Sequence, residues 1–207
     1  MKLLIGTGNP HKTDEILRCL GAVPVVVLGA CGWSGLREPV EDGSTYEENA
    51  RIKAEKYAAQ SGSPCLAEDS GLEVDALDGA PGVLSARYAG EKAGSRENNA
   101  RLLRALRGVP AEARSARFVC VAALHLPGMG TWTCRGVCEG RIVEALRGEE
   151  GFGYDPLFCL AGEERTMAEL SQEEKCRLSH RAKAMAQIAG KLRELKREWD
   201  RFHGSVQ

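Results

Sequence analysis

The sequence predicts an α/β fold: a single domain over residues 1–207, with two lobes arranged around a mixed β-sheet. Three observations predict it. The N-terminal third alternates short apolar runs with helical periodicity. Two strand-like runs flank a tight turn at 127–130, which calls for antiparallel pairing in the second half. The chain then ends on one long amphipathic stripe. A length of 207 residues suits one domain or two closely joined lobes and is ample for a buried core. No internal repeat or low-complexity tract divides it.

Residues 2–7 are a short apolar run ending in Gly-Thr-Gly-Asn-Pro, after which Ile16, Leu17 and Leu20 recur at helical spacing. Asn9 suits an N-cap. Pro10 suits the first helical position, where its missing N–H would have no intrahelical partner. A second strand is expected over 24–28 and a loop over 30–43. Ser44-Thr45-Tyr46-Glu47 then opens, as a capping box, a helix reaching about residue 61. Residues 65–69 read as a buried strand stopped by Ser70-Gly71, with a further short strand over 72–77.

The Gly/Pro/Ser-rich stretch 78–95 is expected to be mostly irregular, and 96–107 helical. Strands over 117–126 and 131–138 flank Pro127-Gly128-Met129-Gly130, and 141–144 extends the same sheet. After a loop at 148–156, Thr166-x-x-Glu169 and Ser171-x-x-Glu174 mark two helix starts. Met185, Ile188, Ala189, Leu192, Leu195 and Trp199 form the stripe of the final helix, a core-packing face opposite a solvated one.

Composition excludes several classes of function. Lys plus Arg (28) nearly cancels Asp plus Glu (29), leaving a formal charge of -1 and no global positive field for a nucleic-acid backbone. The longest apolar run, 23–33, is broken by Pro24, Gly29 and Gly32 and falls short of the ~18 residues of a membrane span. The N-terminus lacks the features of a signal peptide, so the expected location is cytoplasmic. The eight cysteines are then reduced thiols; none forms Cys-x-x-Cys, and Cys134 and Cys138 have no second pair or nearby His to complete a zinc site.

Five places hold residues suited to chemistry. The turn Thr7-Gly8-Asn9-Pro10-His11-Lys12 would present free backbone N–H groups and a helix dipole to a phosphate, with Lys12 adding a full charge. An ordinary glycine turn has the same pattern: His11 stands where a dinucleotide fingerprint needs its third glycine, and no Gly-Lys-Ser/Thr follows. Glu68-Asp69-Ser70-Gly71 ends a buried strand, where alternation sends the two carboxylates to opposite faces. Asp69, nearer the turn, is the better metal ligand; the alternative is an Asp-Ser-Gly turn that satisfies its own backbone.

Glu38 and Glu41 form another acidic locus just before the helix that carries Lys53, a set of hard oxygens and ammonium suited to magnesium and polyphosphate. Singly, each charge reads as surface. In Gly151-Phe152-Gly153-Tyr154-Asp155-Pro156, two aromatics lie in a glycine loop where a ring can stack on a base or pin the loop to the core. Ser179-His180-Arg181 offers donors at the start of the last helix, or simply a cap followed by surface charge.

Taken together, T-G-N-x-x-K (7–12), E-x-G (41–43), E-N-A-x-x-K-A (48–54), D-S-G-L (69–72), G-A-P-G-x-x-S-A-R-Y (79–88), G-F-G-Y-D-P (151–156), A-E-L (168–170), E-E-K (173–175) and S-H-R (179–181) resemble the inosine/xanthosine triphosphate pyrophosphatase family. The strings are short, but all nine occur in the family's order across nearly the whole chain. The resemblance implies an elongated α/β fold with a central mixed sheet flanked by helices and an active-site cleft between two lobes, usually as a homodimer. It also implies magnesium-dependent (Mg2+) hydrolysis of purine nucleoside triphosphates such as ITP, dITP and XTP to the monophosphate and pyrophosphate.

By that resemblance Thr7, Gly8, Asn9, Pro10, His11 and Lys12 hold the phosphates, and Lys53 reaches them. Asp69 is metal ligand and proton acceptor, Glu41 is a metal carboxylate, and Ser70 contacts substrate. Phe152, Gly153, Tyr154 and Asp155 bind the base, Phe152 by stacking, and Lys175, His180 and Arg181 complete its pocket. Many relatives have Asp-Asp where this chain has Glu68-Asp69, which keeps the first charge but changes its reach. The rival readings are a pyrophosphatase for modified pyrimidines or methylated bases, and a nucleotide sensor without turnover. Lys12, Lys53 and Asp69 together argue against the sensor.

Overall fold

A computed structural model of the chain describes residues 2–29 and 35–203, with side chains up to residue 198. Residues 30–34 of the expected 30–43 loop and the side chain of Trp199 lie outside the described residues. The described residues hold strands β1 (Lys2–Ile5), β2 (Val26–Gly29), β3 (Cys65–Val74), β4 (Ser115–Leu126), β5 (Gly130–Ile142) and β6 (Phe158–Leu160). The α-helices are α1 (Pro10–Leu20), α2 (Tyr46–Ser61), α3 (Ser95–Ala105), α4 (Gln172–Leu178) and α5 (His180–His203).

The strands form one sheet in the order β2-β1-β3-β4-β5-β6. It is mixed, as expected. β1 runs parallel to β2, with Leu3 opposite Val27, and parallel to β3, with Leu4 opposite Cys65. β6 is antiparallel to β5, with Arg141 opposite Cys159. The short 127–129 connection between β4 and β5 allows only an antiparallel hairpin, and Met129 N–H closes it onto the Leu126 carbonyl at 2.9 Å.

The chain divides into two compact units. The first comprises Met1–Glu68, Val121–Arg135 and Ala182–Gln207, and the second Asp69–Cys120 and Gly136–Arg181. In the first, Leu4 of β1, Tyr57 and Ala58 of α2 and Cys65 of β3 pack as one buried cluster. In α5 the apolar stripe behaves as read, with Met185, Ile188, Ala189 and Leu192 all buried. The core of the second unit gathers Leu72, Leu102, Phe118, Tyr154, Phe158 and Met167, among others.

Some expectations change. Residues 65–69 and 72–77 are one strand, β3, which runs through Ser70-Gly71 to Val74. Its extended course is fixed from outside: Leu72 N–H donates to Ser85 Oγ at 2.9 Å, giving the backbone a partner where local turn chemistry offered another. The capping box of α2 is Thr45 with Glu48, one residue later than read; Glu48 also accepts from the Ser44 N–H and hydroxyl at 2.7 Å each.

Thr166-x-x-Glu169 closes a capping box on a single 3-10 turn, whereas Ser171-x-x-Glu174 opens α4. The 141–144 segment is no separate strand, because β5 itself continues to Ile142. The 78–95 stretch is less irregular than expected: it contains a 3-10 segment, Gly82–Arg87. The cysteines outside residues 30–34 are free thiols. Among the described residues no helix is long and apolar enough to cross a membrane.

Candidate active site

In the first unit the turn after β1 is shaped by close packing. A Cβ on Gly6 would stand 2.7 Å from both Cys65 Sγ and a Tyr57 ring carbon, so only glycine fits there. Asn9 caps α1 as predicted, its Oδ1 accepting from the N–H groups of His11 at 3.0 Å and Lys12 at 3.3 Å. Thr7 Oγ1 accepts from Asn9 N–H at 3.1 Å. The backbone donors expected to lie free for phosphate at residues 9, 11 and 12 are therefore taken by the cap. The helix dipole and the Lys12 ammonium remain as the turn's attraction for anions.

Lys12 Nζ lies 3.0 Å from Glu68 Oε1, and the Glu68 side chain is wholly buried while that of Lys12 is 18% exposed. A carboxylate so placed keeps its charge only with a paired cation. Glu68, in the middle of β3, is thus the anchor that holds Lys12 against that strand. A similar pair joins Lys53, on the buried face of α2, to Glu41 at 2.7 Å. The loop carrying Glu41 is tied to the same helix, Gly43 N–H donating to Asn49 Oδ1 at 2.9 Å. The Glu38 carboxylate faces Gly8, 3.5 Å from where its Cβ would be. Burial, and next the charge of Glu38, raise the Tyr57 hydroxyl above its ordinary pKa.

The second unit begins at Asp69, which is 8% exposed. The neighbouring Ser70 hydroxyl accepts from Arg181 Nη2 at 3.1 Å. The guanidinium of Arg181 stands over the Phe152 ring, 5.6 Å from its centroid, and the residue is only 2% exposed. The cation and the ring thus form one surface of π and donor character. His180 stacks on Phe118 at 4.8 Å and 18°, which seats it against the core.

Lys175 is buried and pairs with Asp155 at 2.8 Å, also donating to the Glu150 carbonyl at 3.3 Å. A side chain on Gly151 would collide with both members of the pair, which explains glycine at the start of this loop. Phe152 N–H reaches Asp155 Oδ2 at 3.4 Å, closing the loop on itself. Tyr154 points inward: its ring belongs to the core, and its hydroxyl donates to the Ser85 carbonyl at 2.9 Å. Burial pushes that phenol above its ordinary pKa. Tyr154 therefore secures the loop, and its carbonyl accepts from the N–H groups of Leu157 at 2.9 Å and Phe158 at 3.1 Å.

Within the first unit the fold gathers Thr7, Asn9 and Lys12 with Glu68, and Lys53 with Glu41. Pro10 and His11 are exposed on the first turn of α1. Within the second it gathers Ser70, Phe152 and Arg181, and Lys175 with Asp155. The reading of the residues missed Asn99, whose Nδ2 donates to the Gly153 carbonyl at 2.9 Å, and Ser85, bonded to both Leu72 and Tyr154. Ser85 falls in the quoted G-A-P-G-x-x-S motif; Asn99 carries no local signal beyond being a polar residue on the buried side of a helix.

Among the described residues no group of three or more His, Cys, Asp or Glu is assembled as a metal cage. Magnesium requires none, since one or two carboxylates, water and substrate phosphates suffice. The carboxylates of Asp69 and Glu41 are hard oxygen donors of that kind.

Comparisons with known proteins agree with these motifs. A dITP/XTP pyrophosphatase of Exiguobacterium sibiricum is 45% identical over 192 residues, 93% of this chain and 97% of that protein. One from Syntrophobacter fumaroxidans is 49% identical over 198 residues, 96% and 82% of the respective chains. Among solved structures, a HAM1 protein from Coxiella burnetii superimposes with a TM-score of 0.84 at 40% identity, covering 94% of this chain and 99% of that one. The model of the Ham1 family matches residues 3–191, and the chain belongs to that family.

Proposed function

We propose that this protein hydrolyses nucleoside triphosphates bearing keto purines, ITP, dITP and XTP, to the monophosphate and pyrophosphate, and so removes them from the nucleotide pool. One observation carries the reading: a buried arginine donor, Arg181, is held between the Phe152 ring and Ser70, the residue next to Asp69. The related proteins named dITP/XTP pyrophosphatase support the same substrates.

In this reading Lys12 and Lys53 serve the phosphates of the substrate, and Phe152 and Arg181 serve its base. Water attacks the α-phosphorus, with Asp69 accepting its proton. The bond to the bridging oxygen breaks and charge collects on the departing pyrophosphate. Lys12 and Lys53 stabilise that charge, each aimed by a carboxylate, Glu68 and Glu41 respectively. Asp69 and Glu41 are each a hard carboxylate suited to magnesium, which when bound would supply positive charge to the polyphosphate oxygens.

Selectivity rests on the edge of the base. Keto purines present an acceptor at O6 where adenine presents an amino donor. With Arg181 facing that edge, adenine sets donor against donor, and a buried unpaired donor costs about 1–3 kcal/mol. The reading extends to a homodimer acting in the cytoplasm on small-molecule nucleotides, without nucleic-acid or membrane partners. Light scattering tests the dimer, with twice the chain mass expected.

The experiment is a hydrolysis panel of ITP, dITP, XTP, ATP, GTP and modified pyrimidine and methylated-base triphosphates, with and without magnesium, reading pyrophosphate and orthophosphate separately. We expect pyrophosphate from ITP, dITP and XTP, magnesium dependence, and at least about tenfold preference over ATP; GTP, whose O6 is the same acceptor, is not separated from them by the Arg181 contact. Preference for a pyrimidine or methylated base, or release of orthophosphate alone, contradicts the reading.

A further inference from the structure

Asn98 and Asn99 are consecutive on α3 and equally buried, 5% exposed each, yet they use their side chains differently. Asn98 engages both ends: Oδ1 accepts from Ala89 N–H at 2.7 Å and Nδ2 donates to the Ala86 carbonyl at 3.0 Å. That is the pattern of a structural asparagine. Asn99 engages one end. Its Nδ2 donates to the Gly153 carbonyl at 2.9 Å, while its Oδ1 is buried with no hydrogen-bond partner. Leaving a buried acceptor unpaired is costly, and few native groups are left so. A residue kept there for packing alone would be apolar.

What the donor holds explains why it is kept. Gly153 sits at φ +63 between Phe152 and Tyr154, a backbone conformation suited to glycine; the peptide plane on its Phe152 side is held by Asp155 N–H, which donates to the Phe152 carbonyl at 3.3 Å, and the plane on its Tyr154 side has Asn99 as the side-chain donor to its carbonyl. Tyr154 is fixed through its hydroxyl to Ser85, which also takes the N–H of Leu72 on β3. The Gly153 carbonyl, one residue nearer the Phe152 ring, is fixed by Asn99. We propose that Asn99 is a positioning residue for base recognition: its amide N–H sets the Gly153 carbonyl and thereby the orientation of the Phe152 ring and of the Arg181 cation above it. This inference rests on the reading of residues 152–155 as the base loop.

The test is Asn99→Leu, with Asn99→Asp as a near-isosteric second variant that replaces the donor by an acceptor. Gly153 is half-buried, so its released carbonyl can turn to water. For Asn99→Leu the melting temperature should therefore shift by no more than about 4 °C. KM for ITP should rise about tenfold with kcat within about twofold, the signature of lost ground-state positioning. Inhibition by IMP should weaken in parallel, and inhibition by pyrophosphate should stay unchanged.

In a Phe152→Ala background the further effect of Asn99→Leu on KM should fall below about twofold, because the ring it orients is gone. An unchanged KM in both variants, or the same tenfold effect without Phe152, overturns the proposal. So does a loss of kcat that tracks a large fall in melting temperature. A wild-type protein that fails to hydrolyse ITP overturns the underlying reading and this inference together; a hydrolysing wild type with unaffected variants overturns this inference alone.

Discussion

The ionic groups of the two units are built on different plans. In the first, Lys12 and Lys53 each pair with a carboxylate, and at least one partner of each pair retains some exposure to water. In the second, Lys175 and Arg181 are nearly sealed, one against Asp155 and the other between a ring and a hydroxyl, and the loop beneath them is pinned by Asn99 and Tyr154. The difference suits the two tasks proposed for these residues. A triphosphate is gripped by charge, which acts at a distance and tolerates adjustment. A base is told from its neighbour by the direction of one hydrogen bond, which a rigid, desolvated frame enforces.

Several substitutions test that division. Asp69→Asn should show the largest effect, lowering kcat by about 10²–10⁴-fold, the range of a positioned general base, with the far-ultraviolet circular dichroism unchanged. Activity close to wild type would remove Asp69 from the chemistry. Lys12→Met should lower kcat/KM by about 10–100-fold, and equally for ITP and ATP, because it acts on phosphate and not on base. It also strands Glu68, so the pair Lys12→Met/Glu68→Gln should recover thermal stability without recovering rate. A changed ITP to ATP ratio in either variant would break the proposed separation of phosphate and base roles.

Arg181→Ala should do the reverse, narrowing the ITP to ATP preference by about tenfold in competition assays. An unchanged preference would rule it out as reader of the base edge. The smallest effect is expected in the cap of α4, which carries Lys175. Hydrogen bonds from Arg165, then from Ser171, hold the half-buried Glu174 carboxyl down to about 2 against an ordinary 4.5. Between those values the unfolded chain binds the proton and the folded one does not, so this contribution is complete above pH 4.5 and fades as pH falls toward 2. Glu174→Gln should therefore flatten the acid limb of the stability curve in that window, and an acid limb identical to wild type would deny the cap its role.

Much of this was legible in the residues because it is local. Asn9 before Pro10, Ser171 before Glu174 and the hairpin turn at 127–130 each specify their structure within a few positions, and the nine motif strings carry the family without any fold. What escaped depends on partners distant in sequence. The continuation of β3 through Ser70-Gly71 is supported by Ser85, and the inward turn of Tyr154 follows from an acceptor on that same residue. The pairing of Lys12 with Glu68 joins two motifs whose spacing gives no hint of contact. The free N–H groups expected of the first turn were lost to the cap that the same segment predicts, two local signals competing for one set of donors.

The central claim is that the bond broken lies at the α-phosphorus of a keto-purine triphosphate. It is tested most directly by single-turnover hydrolysis of ITP in ¹⁸O-labelled water, with mass analysis of both products. The account predicts one labelled oxygen in the IMP and none in the pyrophosphate. Label in the pyrophosphate, or in released orthophosphate, would contradict it.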